Sequence, residues 1–149
     1  MNSVPTVVQQ AISRTIRDIM VHTVSSRTQP DLGSAHVLVV EDEPFIAYDL
    51  ILAVEDAHGL PVGPAATVRE ALDLIGSHKI DAAILDVTLS DGTVDPVLEA
   101  LEKTGVPIVL HTATPQSSSL SDRFPQVAVY TKPTAVAVVT RHLAKQLQR

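Results

Sequence analysis

Four stretches of the chain end in residues that could do chemistry together. Glu41-Asp42-Glu43 follows the apolar run Val37 to Val40, Asp86 follows Ala82 to Leu85, Thr112 follows Ile108 to Leu110, and Lys132-Pro133 follows Val127 to Tyr130. Carboxylates held side by side must share protons or bind a cation, and clustered oxygens suit a hard ion such as Mg²⁺. A carboxylate set at the end of a wholly apolar strand is also placed to act as a nucleophile. An ammonium and a hydroxyl beside it would stabilise the equatorial oxygens of a phosphoryl group in transfer.

Such residues meet only if the apolar runs are parallel strands of one sheet, because ligand sites of open α/β sheets lie beyond the carboxyl ends of the strands. The pattern from His36 onward agrees with that requirement. Short β-branched runs alternate with helical periodicity five times, which is the signature of a doubly wound parallel sheet with helices on both faces. Pro44 suits the first turn of a helix, and the reading turns Phe45, Tyr48, Leu52 and Ala53 of that helix inward, with an end at His58-Gly59. Leu60 to Ala65 contains Pro61 and Pro64 and so belongs at an edge. Thr67 with Glu70 forms a capping box. A helix is expected around Val97 to Glu102, and a closing helix from Thr134 to Gln148 with Val136, Val139, Leu143 and Leu147 on one stripe. Pro115 to Pro125 is Ser-rich with little apolar periodicity, so any helix there is expected to be short, irregular or mobile.

Residues 1 to 34 differ from the rest in carrying a net charge of +1, against −7 for residues 35 to 149. Val8, Ile12, Ile16 and Ile19 recur at helical spacing, which predicts an amphipathic helix from Thr6 to Met20, followed by a linker to Ser34. The domain boundaries are therefore set at 1–34 for helix and linker and 35–149 for the α/β domain.

Composition narrows the classes of function. Of the 149 residues, 45% are hydrophobic and 19% charged, enough apolar side chain for a core of its own. A net charge of −6 repels phosphate backbones and argues against direct nucleic-acid binding. The absence of cysteine removes zinc-thiolate, iron-sulfur and thiol-nucleophile chemistry, and fits a reducing cytoplasm. No run is long enough to span a membrane, and no secretory signal pattern opens the chain.

Taken in order, V-L-V-V-E-D-E-P, A-I-L-D-V-x-L, H-T-A and K-P resemble the response-regulator receiver domains of bacterial two-component signalling, over about residues 35 to 149. The resemblance implies a flavodoxin-like sheet of strand order 2-1-3-4-5. It implies that Asp86 accepts a phosphoryl group, and that Mg²⁺ is held by Asp42, Asp86 and the Thr88 carbonyl, with Glu41 acting through water. Thr112 would donate its hydroxyl to the phosphoryl group, Ala113 would leave room for it, and Lys132 would pair with it, aimed by a cis bond to Pro133.

In most receivers an aromatic residue three positions before the lysine reports the switch; here that position is Val129, and Tyr130 falls on the side of Lys132. The segment from Asp91 to Pro107, with the short loop after it, resembles an alphaproteobacterial subgroup whose fourth strand commonly ends Phe-Ala-Thr-Gly. Here the residues read Leu110-His111-Thr112-Ala113.

The resemblance implies a cytoplasmic single-domain response regulator, phosphorylated by a sensor histidine kinase or phosphotransfer protein. It would not be an enzyme acting on a separate substrate. With no DNA-binding domain following Arg149, output is expected through contact with a downstream protein or through onward phosphotransfer. A homodimer is left open. The competing reading is a receiver-shaped binding module that works through its amino-terminal helix whatever its phosphorylation state. A Mg²⁺-dependent phosphatase with an Asp nucleophile is disfavoured, because Asp86-Val87-Thr88 lacks the Asp-x-Asp pair. His111 is read as a core or cleft-wall residue, and Ser117, Ser118 and Ser119 as a solvated loop.

Overall fold

Apolar runs without polar interruption become central strands because a strand covered on both faces has no side that prefers water. In the computed structural model, which describes residues 29–113 and 118–149, three such runs are β1 (His36–Val40), β3 (Ala82–Leu85) and β6 (Ile108–Thr112). They are flanked by β2 (Leu60–Ala65) and β7 (Ala128–Thr131), giving one parallel five-stranded sheet of order β2-β1-β3-β6-β7. Counting the sheet's strands alone, this is the expected 2-1-3-4-5 order, with the proline-bearing strand at an edge. The Thr6 to Met20 helix expected from periodicity lies outside the described residues, as do positions 114–117.

A small antiparallel hairpin, β4 (Thr88–Leu89) and β5 (Gly92–Thr93), follows β3. The helices are α1 (Pro44–Asp56), α2 (Val68–Ser77), α3 (Asp95–Glu102), α4 (Ser118–Arg123) and α5 (Val136–Leu147). Strand alternation sorts the core into two layers. Leu38, Val40, Ala83, Leu85, Ile108 and Leu110 face α2, α3 and α4, while Val37, Val39, Ala82, Ile84 and Val109 face α1 and α5.

The helix ends follow sequence signals. Thr67 Oγ1 accepts from Glu70 N at 3.1 Å, and Glu70 Oε2 reaches back to accept from Ala66 N at 2.8 Å, so the capping box is present with its return bond one residue early. Asp91, in the hairpin turn, adds a cap from outside: its carboxylate accepts from Val68 N at 2.8 Å and Arg69 N at 3.2 Å, which holds the carboxyl below its ordinary range. α4 spans six residues and is anchored by buried Leu120 and the adjoining Phe124. Its Arg123 bonds to Asp95 at 2.8 Å and Glu99 at 2.7 Å of α3, exposed pairs that orient the helix more than they stabilise it.

One inward assignment is corrected. In α1 the buried residues are Ala47, Leu50 and Val54, whereas Phe45, Tyr48 and Leu52 point outward, and Ala53 is half-buried. The helix carries two apolar stripes, so periodicity alone could not choose between them. Attachment to the fold begins before Ala35, because Leu32 is buried in the α1 layer and its N–H donates to Ala57 O at 2.7 Å.

Gly63 in β2 has φ +110, and a Cβ there would stand 2.8 Å from Val39 O and 2.9 Å from Ala65 N. Gly63→Ala is therefore expected to cost more than about 1 kcal/mol, whereas Gly76→Ala in α2 should stabilise by up to about 1 kcal/mol. A Cβ at Gly76 meets nothing within 4 Å. Urea midpoints of the two variants on either side of the parent check the pair; both moving the same way would contradict it.

Candidate functional site

Glu41 and Asp42 leave the end of β1, and Asp86 leaves the end of β3, the neighbouring strand in register (Val40 opposite Leu85). Asp86 N donates to Val40 O at 2.8 Å, so the backbone pairing itself sets the two acidic positions beside each other. Carboxylate oxygens of Glu41, Asp42 and Asp86 lie within 4.8 Å of one another. Glu41 and Asp86 are buried, and Asp42 is partly exposed.

The cation comes from the far edge of the sheet. Lys132, just past β7, has its N–H held by Thr112 O at 2.8 Å, and its side chain crosses the end of β6. Nζ donates to Glu41 Oε2 at 2.8 Å and to Asp86 Oδ2 at 3.1 Å. The Lys132 side chain is 10% exposed and that of Glu41 is 0%. Glu41 makes a direct bond to the ammonium, and its other oxygen accepts from Glu43 N at 3.1 Å.

One ammonium shared by two carboxylates neutralises neither fully. Burial pushes the Glu41 carboxyl up to about 7, against the opposing pull of Lys132, and the Asp86 charge adds to the rise. For Lys132 burial acts to lower the value, yet the bonds to Glu41 and Asp86 outweigh it and hold the ammonium above its ordinary range. The two directions agree physically: the cation gains from both partners, whereas each anion also faces another anion.

The remaining candidates surround this pair. Thr112 ends β6 and is buried. Thr88 opens the β4–β5 hairpin two residues past Asp86, opposite Thr93, and is exposed. The Lys132–Pro133 peptide is cis. His111 is buried, as expected of a core or cleft-wall residue, and burial together with Lys132 holds its imidazole below the ordinary value. Tyr130 is half-buried and its hydroxyl lies 3.0 Å from His142 Nδ1 of α5, while Val129 is exposed. Sequence reasoning missed the part played by Asp91, whose cap on α2 pins the hairpin that follows Asp86; its Asp-Gly turn was the available signal.

No family model matches the chain. The Phyllosphere-induced regulator PhyR of Methylorubrum extorquens is 32% identical over 117 residues, covering 76% of this chain and 44% of that protein. The chain thus spans less than half the length of this relative. SdrG from Sphingomonas melonis Fr1 is 38% identical, with 77% of this chain and 97% of that one covered and a TM-score of 0.61. The PhyR response regulator REC domain of Erythrobacter litoralis is 29% identical, covering 78% of this chain and 92% of that one, with a TM-score of 0.67.

Replacing Lys132 by Met would leave Glu41 and Asp86 facing each other without their cation. In buffer free of divalent ions, Lys132→Met is expected to lose about 3 kcal/mol in urea unfolding. Adding Glu41→Gln to that background should restore part of the loss. Additive penalties from the two substitutions would show that the pair is not coupled.

Proposed function

Because this chain belongs to the response-regulator receiver domains and is PhyR-like, of the alphaproteobacterial kind, we propose that it is a phosphorylation-dependent signalling switch with Asp86 as phosphoacceptor. The observation that carries this reading is the convergence of Asp86, Glu41 and Lys132 from the ends of three strands, with Lys132 Nζ 3.1 Å from Asp86 Oδ2. A carboxylate serving only as a turn or cap residue gives no reason for a lysine to be drawn across from the opposite edge of the sheet.

The donor is a phosphohistidine of a sensor histidine kinase or phosphotransfer protein. An Asp86 carboxylate oxygen forms the new P–O bond as the P–N bond breaks, and the electron pair returns to the imidazole nitrogen, which takes up a proton. Lys132 exchanges its bond to Asp86 for one to a phosphoryl oxygen, supplying fixed positive charge where negative charge accumulates. Thr112 donates its hydroxyl to another oxygen, and Ala113 leaves the space that the group needs. Because these groups are already aligned, the chain contributes positioning and charge, while the activated phosphoryl group comes from the donor. It acts on no other substrate, and water later cleaves the acyl phosphate.

The donor set fits Mg²⁺: three clustered carboxylates, all oxygen, incompletely balanced by one ammonium. Glu41, Asp42 and Asp86 would hold it with the Thr88 carbonyl. When bound, it neutralises charge on the transferring phosphoryl group.

The new charge on Asp86 draws Thr112 and Lys132 away from their resting partners and repacks the loops past β3 and β6, a change between two packings. The product of that change is read by a protein target, since the net charge of −6 disfavours nucleic acid. Among the described residues no helix is long and apolar enough to cross a membrane.

Incubation with Mg²⁺ and acetyl phosphate should add the mass of one phosphoryl group to the parent protein, and Asp86→Asn should abolish the addition while keeping the fold by circular dichroism. An Asp86→Asn protein that still takes up the label would refute the assignment. A parent protein that takes up none would instead favour the phosphorylation-independent binding module.

A further inference from the structure

A helix lying on a sheet ordinarily turns one apolar face inward and a polar face outward. α1 does not. Ala47, Leu50 and Val54 are buried against the sheet, yet Phe45, Tyr48 and Leu52 stand 87%, 62% and 38% exposed. They recur at i, i+3 and i+7, so they form one outward stripe rather than scattered apolar residues. Their ring and branched side chains gain nothing from water, and helix propensity alone would be served by Lys, Gln or Glu at those sites.

A second apolar stripe belongs to the same chain. Val8, Ile12, Ile16 and Ile19 recur at helical spacing within Thr6 to Met20. The tether joins the two at a suitable place. The chain enters the fold at Leu32, whose N–H donates to Ala57 O at 2.7 Å, at the carboxyl end of α1. Ten residues separate Met20 from Asp31, a reach of up to roughly 33 Å. Phe45 to Leu52 spans only about 10 Å along the helix, and the helix expected over Val8 to Ile19 would measure about 16 Å.

We propose that the segment Thr6 to Met20 docks along the outer face of α1, laying Val8, Ile12, Ile16 and Ile19 over Phe45, Tyr48 and Leu52. The occupant is intramolecular, because a tether anchored at the end of the target helix gives it a high effective concentration that a separate molecule lacks. Docking of this kind does not depend on Asp86 being phosphorylated.

The chain has no cysteine, so thiols can be introduced in pairs without background. Full-length protein carrying Tyr48→Cys is combined with Ile12→Cys or Ile16→Cys on the apolar stripe, and with Gln10→Cys or Arg17→Cys on the opposite side. Dilute protein is treated with a short bismaleimide, and products are followed by intact mass. The stripe pairs are expected to bridge within one chain about tenfold faster than the opposite-side pairs, all four sharing the same tether. Ile19→Asp in the Ile12→Cys pair should bring its rate down to that of the controls. Equal rates for all four pairs would overturn the proposal, as would bridged dimers as the main product of the stripe pairs, which would assign the face to a second copy.

Discussion

One buried ammonium shared between two carboxylates organises the functional end of this molecule. Lys132 reaches Glu41 at 2.8 Å and Asp86 at 3.1 Å, and these three residues sit at the ends of β1, β3 and β7. The contact can form only if the strands run parallel and end at nearly the same height. In-register pairing supplies that: Val40 lies opposite Leu85, Leu85 opposite Leu110, and Thr112 opposite Thr131. A slip of one residue in any pair would turn a site residue to the other face of the sheet. The apolar layers that fix the register therefore also fix the chemistry.

The charge pattern at this end is unbalanced. Three carboxylates meet one lysine, and burial opposes the ionised form of Glu41. Buried charges without full compensation are costly, and the proposed function draws on that cost: a cation would relieve it, and a further negative group would force a rearrangement. A site fully neutralised at rest would have less to gain from either.

Much of this is legible in the amino-acid sequence. Continuous apolar runs announce the central strands, Pro61 and Pro64 announce the edge, and the placement of polar residues directly after the runs announces where they gather. What the sequence hides has physical causes. The α1 face is ambiguous because the helix is apolar on two sides, and the stripe with the larger side chains is the outer one. The β4–β5 hairpin rests on two bridged pairs and on Asp91 reaching across to α2, a contact 22 to 23 residues apart that no local pattern records. α4 is held by two apolar anchors and an arginine, too few for a periodicity to show. Likewise the direct bond between Glu41 and Lys132 joins residues 91 apart.

The most direct test is a Mg²⁺ titration followed by the thermal unfolding midpoint, comparing the parent protein with Asp42→Asn. If the carboxylates form a cation site, the parent should gain about 1.4 kcal/mol once Mg²⁺ reaches ten times its dissociation constant, and rise further logarithmically. Asp42→Asn should gain much less at the same concentrations. Equal gains in the two proteins, or none in either, would contradict the account.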